Sequence, residues 1–220
     1  MKSPRPRPIS LVIIEDHRMF REQLSHLIDK TADMMVAGES DNIRDGFALI
    51  KQTRPSIALI DITLKGASGL ELIKELRAKG INVPVLVLSM HDESLYAERA
   101  LRAGANGYIT KHEASVDVLA AIRQVLAGEM YLNRAFMSQM MNKMMSGGEP
   151  LGDPIASLAD RELEVFRLLG QGLTTREIGE QLGLETTTVD TYTNRIKEKL
   201  NLENVARLRL TASRWVHQQE

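Results

Sequence analysis

Glu15, Asp16, Asp61, Ser89 and Lys111 are the residues of this 220-residue chain whose types suggest chemistry. Three carboxylates gathered in one crevice repel each other unless a cation neutralises them, and hard oxygen ligands with open water positions suit a Mg2+-like ion. A phosphoryl group bound beside such an ion would also meet the Lys111 ammonium and the Ser89 hydroxyl. Asp61 then reads as the nucleophile. By its reference value a carboxylate is already ionised at neutral pH, so it attacks phosphorus in line without a general base and yields an acyl phosphate. The plainer reading is that polar residues end strands anyway, each being structural or solvated; the joint occurrence of all five argues for a site.

The elements that must position them alternate. Short β-branched apolar runs at 10–14, 35–39, 57–60, 83–88 and 107–109 alternate with amphipathic stretches near 19–29, 43–53, 68–79, 93–103 and 115–127. This pattern predicts an α/β fold, a doubly wound five-stranded parallel sheet covered by helices. In open sheets of this kind ligands sit outside the carboxyl ends of the strands. Glu15 and Asp16 follow the first strand, Asp61 the third, Ser89 the fourth, and Lys111 lies just past the fifth.

After 158 the pattern is helical only. Residues 160–170 form a helix with Leu163, Phe166 and Leu169 inward, stopped by Gly172. Thr174 with Glu177 makes a capping-box pattern; Ile178 and Leu182 supply the apolar face, and Gly183 ends that helix. Thr186, Thr187 and Thr188 offer N-cap hydroxyls to a longer helix reaching Leu200, with Val189, Ile196 and Leu200 inward. Helix, glycine turn, helix is a DNA-reading arrangement, whose second helix enters the major groove. Asp190, Thr191, Asn194 and Arg195 face outward from it.

Composition narrows the classes. Apolar residues at 43% and charged residues at 26% fit a globular protein. The absence of cysteine removes disulfides, thiolate metal sites and thiol catalysis, and fits a reducing, cytoplasmic setting. The basic, proline-rich start is unlike a signal peptide, and no apolar run is long enough to span a membrane. From 151 onward nine Lys/Arg stand against eleven Asp/Glu, which argues mildly against nucleic acid; from 186 to 214, however, six Lys/Arg stand against three Asp/Glu. Residues 130–154, with five methionines between 137 and 145 and then Ser146, Gly147 and Gly148, read as a linker. The histidines show no zinc spacing and are read as surface or packing residues, with His91 bordering the crevice by proximity alone.

Over about 9–128 the chain resembles the receiver domains of response regulators. The resemblance rests on Glu15-Asp16, on Asp61 within Leu59-Ile60-Asp61-Ile62, on Gly66, Gly69, Leu70 and Glu71, on Ser89, and on the run from Ala103 to Lys111. It implies a phosphoryl group taken by Asp61 from a sensor histidine kinase. It also implies a Mg2+ held by Glu15, Asp16, Asp61 and the main-chain oxygen of Thr63, and a switch in which Tyr108 follows the Ser89 hydroxyl. Lys65 departs from a proline common in relatives, which bears on dephosphorylation rate.

From 158 to about 215 the chain resembles the LuxR-type domain of NarL/FixJ regulators, through Arg161-Glu162-Leu163-Glu164-Val165, Gly172-Leu173-Thr174, Glu177-Ile178-Gly179, Thr188-Val189 and Ile196-Lys197-Glu198-Lys199-Leu200. That implies double-stranded DNA as partner, with Thr187, Thr188, Lys197 and Lys199 joining the outward residues in contact. Asp190 and Tyr192 stand where many relatives carry a basic residue and a histidine. Asp190 either accepts from a cytosine amino group or pairs with Arg195 or a neighbour; pairing is the preferred reading. The domains implied are a receiver at 8–128, a linker at 129–156 that is in part helical, and a DNA-binding domain at 157–220. The whole is expected to act as a cytoplasmic regulator that dimerises when phosphorylated and engages the transcription machinery. The alternatives are a phosphorylation-independent regulator whose receiver only dimerises, a metal-dependent phosphatase or phosphotransferase, and a protein-binding rather than DNA-binding helical domain.

Overall fold

The computed structural model describes residues 8–90, 94–133, 136–138 and 154–217. His91 and most of the methionine-rich stretch lie outside them. The chain forms two compact units, residues 1–64 with 69–139, and 65–68 with 140–220.

The first unit runs β1 (Ile9–Ile14), α1 (Arg18–Asp29), β2 (Met34–Ser40), α2 (Ile43–Thr53), β3 (Ile57–Asp61), α3 (Gly69–Ala78), β6 (Val85–Ser89), α4 (Ser94–Ala103), β7 (Gly107–Thr110) and α5 (Lys111–Leu126). Two two-residue strands, β4 (Thr63–Leu64) and β5 (Ala67–Ser68), lie in the loop after β3 and are too short to show periodicity in sequence. The five long strands form one parallel sheet in the order β2-β1-β3-β6-β7. Leu11 to Ile14 are fully buried, as are all five residues of β3, because helices cover both faces of the sheet. Each such aliphatic side chain contributes about 1.5–3 kcal/mol by leaving water. Leu24 and Ile28 of α1 and Val118, Ile122 and Val125 of α5 close one face over Leu11, Ile13, Leu59, Leu86 and Leu88.

The expected strands differ from those observed by at most two residues at either end. The fifth helix differs more: α5 begins at Lys111 rather than near 115, because Thr110 accepts from the Glu113 amide while Glu113 reaches back to the Thr110 amide. That capping box places Lys111 in the first helical turn.

The second unit holds a 3-10 turn (Pro154–Ser157), then α6 (Asp160–Gly170), α7 (Thr175–Leu182), α8 (Thr186–Lys199) and α9 (Val205–His217). Leu163, Phe166 and Leu169 are buried as their spacing requires, and Phe166 meets Trp215 of α9 with ring centroids 5.7 Å apart. Thr174 caps α7 in a reciprocal box with Glu177. Gly183 closes α7 at φ 65°, a left-handed turn that glycine makes without steric cost. The threonine caps expected for α8 are not formed. Glu185 stands at its N-cap with no side-chain bond, and Thr186, Thr187 and Thr188 lie within the first turn. Val189 and Ile196 are buried as expected, whereas Leu200 is half-buried.

Candidate functional site: a carboxylate crevice and an exposed helix face

The sheet register assembles the crevice. Asp61, last in β3, pairs with Leu88 on β6; the next residue, Ser89, pairs with Thr110 on β7, and Lys111 follows. Adjacent strands lie about 4.8 Å apart, so three strand ends bring these side chains to one rim. Glu15 arrives from β1, where its amide donates to the Ser40 carbonyl at 2.9 Å. Gly69 sets the depth of Asp61: a Cβ at that position would lie 1.9 Å from the Asp61 carbonyl oxygen, so only glycine lets α3 start so close.

At the rim the Lys111 Nζ lies 2.7 Å from Glu15 Oε2 and 2.9 Å from Asp61 Oδ2, with both carboxylates fully desolvated. The Phe20 ring lies under the same ammonium at 5.1 Å. The Thr63 amide donates to Asp61 Oδ1 at 3.3 Å. Ligand atoms of Glu15, Asp16, His17 and Asp61 all lie within 4.8 Å of one another, a cluster that could hold a metal ion. Three carboxylates against one ammonium leave a net negative site made of hard oxygen donors, which fits a small dication. Ser89 and Tyr108 are both buried, the latter with its amide bound to the Tyr131 carbonyl at 2.8 Å.

Electrostatics correct one expectation. Burial, followed by the negative charge of Glu15, pushes the Asp61 carboxyl up to about 8, and Lys111 only partly offsets them. Asp61 therefore ionises less readily than its reference value implies, and added positive charge at the site favours its charged form. Burial works to lower the Lys111 ammonium, but its ion pairs with Asp61 and Glu15 outweigh that and hold it above the ordinary lysine value.

Two partners of the site were not read from sequence as such. The His17 ring is a surface group, as expected, but it sits against the acids, with Nδ1 3.0 Å from Asp16 Oδ1 and 3.2 Å from Glu15 Oε1. Adjacency to the acidic pair was the available signal. Arg21, one turn into α1, donates to the Glu15 carbonyl at 2.5 Å and pairs with Glu39 at 3.2 Å. Its register with β2 is visible only in the fold.

On α8, Thr187, Asp190, Thr191, Asn194 and Arg195 are exposed, while Thr188 and Lys197 are half-buried. Lys199 is engaged inside its own unit, its Nζ 2.7 Å from Glu162 Oε2 of α6. The preferred pairing of Asp190 is absent: among the described residues Asp190 forms no ion pair, and five residues of helix set it about 140° around the axis from Arg195. Arg209 of α9 donates to the Leu173 carbonyl at 2.8 Å. No helix among the described residues is long and apolar enough to cross a membrane.

The family model for the response regulator receiver domain matches residues 11–123, and that for bacterial regulatory proteins of the luxR family matches 156–212. The virulence-factors transcription regulator BvgA of Bordetella pertussis is 35% identical over 200 residues, 90% of this chain and 93% of BvgA. The nitrate/nitrite response regulator NarL of Escherichia coli K12 is 30% identical over 212 residues, 96% of each chain. The structure of RcsB from Salmonella enterica serovar Typhimurium, solved on promoter P1flhDC with the phosphomimetic BeF3-, matches with TM-score 0.60 over 94% of this chain and 98% of that one, at 21% identity, a likeness of fold.

Proposed function

Since the chain belongs to the DNA-binding response regulators that join a receiver to a LuxR-type domain, we propose that Asp61 accepts a phosphoryl group from a sensor histidine kinase and that its phosphorylation controls dimerisation, DNA binding and transcription. The family is one of regulators rather than classical enzymes, and the only covalent chemistry in this reading is the phosphorylation and dephosphorylation of Asp61. An Asp61 oxygen bonds to phosphorus as the P–N bond of the donor phosphohistidine breaks; the electron pair leaves with the imidazole, which takes up a proton.

The observation that carries this reading is the Lys111 ammonium held between Glu15 and Asp61 inside a cluster of carboxylates. Glu15, Asp16, Asp61 and the main-chain oxygen of Thr63 are the donors for Mg2+, which supplies the positive charge that an ionised Asp61 and the phosphoryl oxygens require. Lys111 contributes a second positive charge, and the Ser89 hydroxyl donates to a phosphoryl oxygen. Tyr108, on the strand beside Ser89, fills the space that the hydroxyl vacates. Such contacts shift a conformational equilibrium only so far as they are better made in the active state.

The division into receiver (8–128), linker (129–156) and DNA-binding domain (157–220) belongs to the same reading. The exposed face of α8 reads DNA, with Asp190, Thr191 and Asn194 at base edges and Arg195 and Lys197 at phosphates. A cytoplasmic dimer acting on the transcription machinery follows.

Acetyl phosphate with Mg2+ labels the wild-type chain and strengthens its salt-dependent retention on promoter fragments; Asp61→Asn does neither. Labelling that persists in Asp61→Asn overturns the nucleophile assignment. Promoter binding indifferent to both donor and substitution establishes a phosphorylation-independent regulator instead.

A further inference from the structure

At the end of the sheet away from the carboxylates, near the amino ends of β3 and β6, α2 and α3 leave a cleft of about 780 Å³. That volume lies in the range of roughly 300–1,000 Å³ typical of small-molecule sites. Ile50, Pro55 and Val83 are buried and form its floor, with Phe47 and Ile81 half-buried along the walls. Its mouth carries Lys51, Arg54 and Lys79 against the single acid Glu75, all exposed. No salt bridge joins these cations to an acid among the described residues.

The charge balance selects the sign and size of a ligand. The carboxyl ends of α2 and α3 both open here, and each presents the equivalent of about half a negative charge. With Glu75 they leave about one of the three positive charges uncompensated. Lys51 and Lys79 on their own are what two helix ends attract. Arg54 is different, because it sits at the C-cap of α2 at φ 47°, ψ 61°. Glycine takes that left-handed conformation without steric cost, and arginine does not. Capping alone would favour glycine, whereas a guanidinium at the mouth of the cleft accounts for the strained residue.

We propose that this cleft binds a small organic monoanion with an apolar body, its anionic end held by Lys51, Arg54 and Lys79 and its body lying against Phe47 and Val83. The site is independent of the phosphoryl crevice.

The test titrates 1-anilinonaphthalene-8-sulfonate into the full chain, following fluorescence for affinity and backbone amide resonances for place. One saturable site per chain is expected, with shifts confined to residues around Phe47, Ile50 and Ile81. The uncharged N-phenyl-1-naphthylamine binds at least tenfold more weakly, and Arg54→Glu combined with Lys79→Glu weakens the anionic probe at least tenfold. Arg54→Gly separates capping from recognition: Tm rises as the backbone relaxes, while probe affinity falls several-fold. A rise in Tm with unchanged affinity overturns the proposal. So does equal binding of the neutral probe, undiminished binding by the double variant, or the absence of a saturable site at these resonances.

Discussion

Asp61→Asn is expected to stabilise the receiver while abolishing its phosphorylation. The ordinary Asp61 value of 3.8 is raised to about 8 by burial beside Glu15, so between those pH values the folded chain holds a proton that the unfolded chain releases. The sign follows: the stability attached to this group is complete below about pH 4 and is lost as pH rises through about 8. Each pH unit across that window costs about 1.4 kcal/mol, or about 4 kcal/mol between pH 4 and pH 7. Asparagine has the shape of the protonated acid, still offers Lys111 an acceptor, and does not ionise. The variant and the wild type therefore coincide near pH 4 and diverge to about 4 kcal/mol by pH 7, on the order of 10 °C in the receiver transition. Thermal and urea unfolding in EDTA across that range read the difference, and comparing the pair cancels the titrating groups that do not touch Asp61, leaving only Glu15 and Lys111 coupled to the substitution. Parallel pH profiles, or a variant less stable than wild type at pH 7, would refute the account of Asp61 as a carboxyl destabilised by burial beside a second carboxylate.

Other outcomes follow from the same geometry. Mg2+ added near pH 7 should release close to one proton per chain, because the ligating Asp61 must ionise, and almost none above pH 9; calorimetry in buffers of different ionisation enthalpy measures the count. Gly69→Ala forces a Cβ against the Asp61 carbonyl and should cost about 2–3 kcal/mol in urea unfolding and slow acetyl-phosphate labelling. Arg195→Ala should lower the salt slope of DNA binding by about one, while Lys199→Met, whose ammonium is already paired with Glu162, leaves the slope unchanged and costs under about 1 kcal/mol of stability. Thr174→Ala removes the cap of α7 and should cost about 1 kcal/mol, read as a lower Tm of the second unit.

Much of this architecture is legible from residue types alone, because strands buried on both faces must read as apolar runs and their polar followers must meet at one rim. That rule puts Asp61, Ser89 and Lys111 at the carboxyl ends of three neighbouring strands, and the sheet register brings those ends side by side. What escaped depends on partners distant in sequence or on competing local bonds. The start of α5 is decided by Thr110 and Glu113, a pattern present in the sequence but overshadowed by apolar periodicity further on. Thr186 to Thr188 look like caps, yet Glu185 already has the extended backbone that precedes the helix, so the threonines fall inside it. The occupation of Lys199 requires Glu162, 37 residues away, and the raised value of Asp61 requires knowing that water is excluded.

Thr110 both ends the last strand and caps the helix that Lys111 begins, so no joint separates sheet from helix at this corner. One extra residue inserted there would swing the ammonium by about 100° around the helix axis, and no rotamer of a four-carbon arm could restore its grip on Glu15 and Asp61. The spacing between strand and lysine is therefore as much a part of the crevice as the lysine itself.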